Sequence, residues 1–269
     1  AEATSDTTDP NGNPSSIVGY RANGGSTIAP NGWTNGSSPY FTWTAGADAE
    51  GGVLGYCAYL GTDQNADPTT TKGQLGTSPV ATGSTCQFIV SGTSLDLATP
   101  GLLGSPLVTS NDMLYLTLRT IDKAGNITNT STQFAFKFDN TPPTNPGFIT
   151  APSGFINTKD VEMSWATSGG SAPSDANSGI AGLQYRIGSG GTWYGDSHSG
   201  TGDSSDLLAN DGVYATIPTP DHTNLAEGIN TVYFRTWDQA GNYTNTYATA
   251  TLKINTNGAP SEPVNLIAT

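Results

Sequence analysis

Two stretches of this chain repeat one another. Residues 117–130 read TLRTIDKAGNITNT and residues 233–246 read YFRTWDQAGNYTNT. They share Arg-Thr-x-Asp-x-Ala-Gly-Asn-x-Thr-Asn-Thr at an offset of 116. Upstream, APNGWTNGSSPYFTW (29–43) matches APSGFINTKDVEMSW (151–165) at an offset of 122, and VLGYCAYLG (53–61) matches IAGLQYRIG (180–188) at 127. The order is the same in both copies, and the drifting offset places insertions and deletions in loops between shared strands. A repeat of about 120 residues is a whole domain rather than one turn of a solenoid.

The shared pieces have a period of two. Phe41 and Trp43 alternate with Thr; Val161, Met163 and Trp165 alternate with Glu and Ser. Phe134, Phe136 and Phe138 match Ala250, Leu252 and Ile254, with Lys137 and Lys253 on the other face. Such alternation reads as half-buried strands, and nothing long shows a helical period. Five or more strands per copy, separated by Gly, Asn, Asp and Pro turns, predict an all-β chain of two tandem β-sandwich domains. The segments Asp122–Asn126 and Asp238–Asn242 lie between two strands. Gly125 and Gly241 supply positive φ, and the side chains of Asp122 and Asp238 cap the turn, with Asn126 and Asn242 completing the motif. A calcium-ligand role for the same motif is the competing reading.

Pro142 and Pro143 mark a stiff linker at 138–146. The predicted layout is an N-terminal extended tail at 1–16, a first domain at 17–141, a second at 142–256, and at 257–269 a linker and first strand of a possible further domain. Only 12% of residues are charged, about half the usual share, so Thr, Ser, Asn and Gly must build the surface. The net charge is −13 with 9 basic residues. That excludes a phosphate-binding basic patch, and with it nucleic acid. No apolar window is long enough to insert into a membrane. Cys57 and Cys86, 29 residues apart, are too far apart for a redox or zinc motif. In a secreted chain they predict one disulfide, worth about 3–4 kcal/mol in the chain-entropy account.

The order of Thr141-Pro-Pro-Thr, Gly154-Phe-Ile-Asn, Ser178-Gly-Ile-Ala-Gly-Leu-Gln-Tyr, Gly190-Gly-Thr-Trp, Gly228-Ile-Asn-Thr-Val-Tyr-Phe-Arg and Asp238-Gln-Ala-Gly-Asn resembles bacterial immunoglobulin-like domains. The likeness covers about 115 residues of the second copy; the first shares the ends and departs at 61–85. It implies immunoglobulin-like sandwiches in an extracellular or cell-surface setting, and no catalytic residues. By alignment Cys57 matches Gln184, on the face opposite Tyr56 and Leu183. The disulfide is therefore expected to staple the 61–85 excursion to the sheet, unlike the core bridge of antibodies.

No catalytic constellation stands out: His198 and His222 lie in Gly/Ser/Thr/Pro-rich stretches, and no nucleophile elbow or zinc motif is present. The expectation is a chain without enzyme activity and without an obligatory cofactor, calcium being possible. Two loops carry oxygen ligands suited to calcium: Asp63, Asn65 and Asp67, and a second with Asp196, Asp203, Asp206 and Asp211. Trp193 with Tyr194 is the candidate glycan platform; Trp33 and Trp237 are expected to pack. Of the glycosylation sequons at Asn35, Asn126, Asn129 and Asn242, two belong to the hairpin motif. The reading is a structural or adhesive surface protein whose partners are other copies of itself or neighbouring domains. The alternative is a carbohydrate-binding accessory region of a secreted enzyme. Residues 263–269 are expected to pair outside the second domain.

Overall fold

The computed structural model describes residues 6–79, 86–194, 215–216, 224–244 and 246–258. The chain divides into two compact units, Ala1–Thr141 and Pro142–Thr269, and the described residues contain no α-helix.

The first unit contains β1 (Ser15–Tyr20), β2 (Thr27–Ile28), β3 (Trp33–Thr34), β4 (Tyr40–Thr44), β5 (Val53–Gly61), β6 (Ile89–Val90), β7 (Ser94–Asp96), β8 (Leu114–Asp122) and β9 (Thr132–Phe138). They form one sheet ordered β2-β1-β4-β7 and another ordered β3-β9-β8-β5-β6. Neighbours pair antiparallel except β3, which runs parallel to β9. This division, with the two long central strands β5 and β8 paired in one sheet, is the arrangement of immunoglobulin-like sandwiches. The alternation along each strand decides which face is buried. Phe41 and Trp43 of β4, Tyr56, Ala58 and Leu60 of β5, Leu116 and Leu118 of β8 and Phe134, Phe136 and Phe138 of β9 meet in one core. The Trp43 ring stands edge-on to Tyr56 with centroids 5.4 Å apart. A one-residue slip of any strand would turn this set to solvent, so burial fixes the register. Gly19 of β1 lies under the Phe134 ring, where any Cβ would clash.

The second unit contains β10 (Phe155–Ile156), β11 (Glu162–Met163), β12 (Ile180–Ile187), β13 (Ala215–Thr216), β14 (Gly228–Asp238) and β15 (Ala248–Ile254). The order β10-β15-β14-β12 repeats β3-β9-β8-β5, again with the first strand parallel to the last, and β11 pairs with β13 opposite. Val161, Met163, Trp165, Leu183, Tyr185, Val232, Phe234, Leu252 and Ile254 form its core.

One expectation is corrected, and the N-terminal segment gains named partners. Trp33 and Phe155 sit on short strands that lie along the rim: Phe155 is exposed, and Trp33 is half-buried with the Lys137 ammonium 5.1 Å over its ring. The described part of the N-terminal segment is not a free tail. Gly12 bridges to Ala47, the Thr8 hydroxyl bonds Glu50, and the Asn129 amide donates to Asp9. Polar groups there are held by named partners, which is how a low-charge segment becomes ordered. Residues 263–269 lie outside the described residues.

Candidate functional site

The repeated hairpin is built from its aspartate outward. Asp122 Oδ1 accepts the backbone N–H of Gly125 at 2.6 Å and of Asn126 at 2.8 Å, and Oδ2 accepts Asn126 Nδ2 at 2.8 Å. In the second unit Asp238 Oδ1 accepts Asn242 N at 2.7 Å and Oδ2 accepts Asn242 Nδ2 at 2.8 Å. The glycines at φ 99° and 93° supply the left-handed turn. The sequence motif therefore encodes an Asp–Asn latch that closes the hairpin between β8 and β9, and between β14 and β15.

Each latch stands beside a clamp on the entering chain. Asn13, just before Pro14, donates Nδ2 to Thr130 O at 2.7 Å and Thr130 Oγ1 at 2.8 Å, and its Oδ1 accepts Thr120 N at 3.3 Å and the Thr128 hydroxyl. Asn145, just before Pro146, accepts Thr236 N at 3.0 Å and donates to Thr246 O. One amide thus ties the entry of each unit to both arms of its hairpin. The sequence signal is the pair of Asn-Pro steps, Asn13-Pro14 in the N-terminal tail and Asn145-Pro146 in the linker.

In the first unit the latch aspartate also belongs to a cluster. Carboxylate oxygens of Asp6, Asp48 and Asp122 lie within 4.8 Å of one another. Asp122 is buried and the other two are half-buried. Asp6 Oδ1 accepts Thr8 N at 3.0 Å, whereas Asp6 Oδ2 is buried with no hydrogen bond. Gly51 lies so close that a Cβ there would strike Asp6 Oδ2. Converging hard oxygens, one of them unsatisfied, are the donor set of a small divalent cation such as Ca²⁺. Sequence spacing gave no hint of it, because the three residues come from the entry segment, the loop after β4 and the end of β8.

Among the residues expected to ligate calcium, Asp63 and Asp67 make local hydrogen bonds. Asp63 Oδ1 caps Asn65 N at 2.9 Å; Asp67 Oδ1 caps Thr69 N at 2.9 Å and pairs with Arg119 Nη1 at 3.1 Å. The described part of the excursion, 61–79, is held by such turns and by bridges from Gly73 to Leu60 and from Leu75 to Leu103. Asp196, Asp203, Asp206 and Asp211 lie outside the described residues.

The outer faces of the two units differ at matching positions. In the first, Cys57 and Cys86 are bonded, Cα atoms 5.6 Å apart, and with Ile89 and Ile121 they form a small cluster separate from the core. This is the face opposite Tyr56, where the alignment placed Cys57. In the second, Gln184 replaces Cys57, and its Oε1 accepts Arg235 Nε at 2.8 Å, Arg235 Nη2 at 2.6 Å and Trp237 Nε1 at 2.6 Å. Trp193 and Tyr194 do not form a joint platform. Tyr194 pairs with Tyr185 and packs against the core. Trp193 lies on the outer face, with the Arg235 guanidinium 4.2 Å and that of Arg186 4.7 Å from its ring centre. Trp237 packs as expected, but on this outer face beside Tyr243, centroids 4.7 Å apart. Burial lowers the Arg235 pKa; Arg186 lowers it further, while Tyr243 and Tyr247 act in the opposite direction.

No protein-family model matches the chain, and no curated protein sequence matches it. Among solved structures, the fibronectin(III)-like modules of Clostridium thermocellum CbhA are similar at 10% identity and a TM-score of 0.43, over 88% of this chain and 96% of that one. The FN1–FN3 domains of chicken CNTN1 are similar at 10% identity and a TM-score of 0.42, over 91% of this chain and 65% of that one. At this level of likeness the fold assignment rests on the strand order itself.

Proposed function

We propose that this chain is a non-catalytic piece of an extracellular or cell-surface protein, its two immunoglobulin-like units serving as a stiff spacer or assembly element. The carrying observation is the asparagine clamp, made by Asn13 in one unit and Asn145 in the other. A module that ties its own entering chain to its central hairpin fixes the path of the polypeptide, which is what a load-bearing or distance-setting element requires. The proline after each clamp stiffens the same point. The disulfide and the low-charge, Thr/Asn/Gly-rich surface support an oxidising, extracellular setting. The reading includes a structural divalent cation held by Asp6, Asp48 and Asp122, with backbone carbonyls and water completing its shell.

Single-molecule stretching tests the spacer role. Two separate unfolding steps are expected, each releasing on the order of 40 nm of chain. The disulfide hides 29 residues of sequence separation, so reduction should lengthen one step by about 10 nm and leave the other unchanged. A chain that extends without resistance, or yields in a single step, would remove the spacer reading.

A further inference from the structure

The outer face of the β12–β14–β15 sheet carries a charge arrangement that packing alone does not require. The Arg186 guanidinium lies 4.7 Å from the Trp193 ring centre, 5.2 Å from Tyr233 and 4.9 Å from Tyr247. Its Nε is buried without a hydrogen-bond partner, and Arg186 forms no ion pair among the described residues. Arg235 stands beside it, stacked on Trp193, on Trp237 at 5.3 Å and on Tyr243 at 4.3 Å. Two of the chain's 9 cationic side chains therefore share one face, with no carboxylate between them among the described residues, in a protein of net charge −13. Adjacent like charges oppose each other, and neither contributes an ion pair in return.

The first unit shows that the fold does not demand this. At the same register positions Cys57 stands for Gln184, Tyr59 for Arg186, Thr117 for Tyr233 and Ile121 for Trp237. There the disulfide clusters with Ile89 and Ile121, and Arg119, which stands for Arg235, is paired with Asp67 at 3.1 Å. A neutral side chain at position 186 would remove the repulsion and give up the cation–π attraction to the three rings. What only Arg186 adds is a rigid fork of N–H donors, held in place by three rings and lacking an acceptor among the described residues.

We propose that this face binds a saccharide carrying an isolated carboxylate, such as a terminal acidic sugar on an otherwise neutral glycan. The carboxylate would take the Arg186 fork, as planar guanidinium–carboxylate pairs do. The sugar body would lie against Tyr243, which is exposed, and the edge of Trp193. Tyr247, just before β15, and Thr249 and Thr251 on it lie beside this face, alternate with the inward Ala248, Ala250 and Leu252, and offer hydroxyls to the sugar. A polyanion is disfavoured, because the rest of the molecule repels it. A peptide is disfavoured because the rings and guanidinia stand on the sheet face, while the neighbouring edge strand β12 is already bridged at Tyr185 by Tyr194. The site adds a ligand to the spacer and does not depend on that role.

The test uses the whole chain and calorimetric titration with sialyllactose, a glucuronic-acid-capped oligosaccharide, and lactose as the neutral control. Binding of at least one acidic sugar is expected, and esterifying its carboxylate should weaken it at least tenfold. Arg186→Lys and Tyr243→Ala should each weaken it at least tenfold with the unfolding midpoint measured alongside; Arg186→Gln should abolish it. Failure of both acidic sugars to bind would overturn the proposal. So would equal binding of lactose, or unchanged binding by Arg186→Lys and Tyr243→Ala. Preferential binding of dextran sulfate would mark a general anion site, and concentration-dependent self-association lost in Arg186→Gln would mark a face for a second copy; either result overturns the saccharide reading.

Discussion

A single amide can hold two strands and a chain entry together because it donates and accepts at once. Replacing Asn13 by Ala leaves Thr120 N and Thr130 O without their side-chain partner in a part-buried place. The expected loss is about 2–3 kcal/mol in the first unit, from an unfolding titration, since unpaired polar groups at such sites cost about 1–3 kcal/mol. Asn145→Ala should do the same to the second unit, and Asn145→Asp should fall between, keeping the acceptor and losing the donor. Asp67 makes a smaller, pH-dependent contribution. Burial alone would raise its pKa, but hydrogen bonds from the Thr69 backbone and hydroxyl, together with Arg119, outweigh it and hold it below the ordinary value. A carboxyl depressed in the folded state stabilises above its unfolded pKa, and that stability is lost as pH falls through the folded value. Asp67→Asn keeps the cap on Thr69 and removes the charge. It should cost at most about 1 kcal/mol at neutral pH, the pair being half-exposed. The difference from the parent chain should close as pH drops below about 4.

At the scale of elements, the clamp and the disulfide join pieces that sequence separates, and the latch closes a turn four residues long. Breaking the disulfide by Cys57→Ala with Cys86→Ala should lower the stability of the first unit by about 3–4 kcal/mol on the chain-entropy account. The second unit should not change. The cation site is testable at the same scale. A cation that binds only the folded state adds about 2.7 kcal/mol at one hundred times its dissociation constant. The melting midpoint of the first unit should therefore rise between chelator and saturating Ca²⁺. Asp48→Asn should abolish the rise while leaving the latch, which rests on Asp122 and Asn126, intact. A midpoint that does not move with Ca²⁺ would show that the cluster holds no such ion. Much of this level was legible in the repeat: the alternation of Phe134, Phe136 and Phe138 fixed an inward face, and the Asp–Gly–Asn order fixed a turn. The cluster was not legible, because Asp6, Asp48 and Asp122 have no common spacing and meet only when the strands are in place.

For the molecule as a whole, each unit has its own core and its own sheets, so each should unfold on its own. Two thermal transitions are expected in calorimetry, and reductant should lower one of them while leaving the other in place. A single transition that moves as one would show that the two units form one cooperative block. Residues 142–256 expressed alone should give a cooperative β-type melt; a random-coil spectrum would place the boundary wrongly.

The sequence by itself determined the repeated strands, their inward faces and the repeated turn. These depend on residues near each other in the chain, whose periodicity and turn chemistry act locally. The tertiary structure alone decided what the same strand positions are used for on the outer faces. Cys57 and Gln184 align as equivalents, yet one is bonded to Cys86 and the other orients Arg235 and Trp237. It also decided that Trp193 and Tyr194, adjacent in sequence, point to opposite sides. Successive side chains in extended chain alternate between faces. Which face meets core and which meets arginine is set by strands that lie far apart in the sequence and arrive there only on folding.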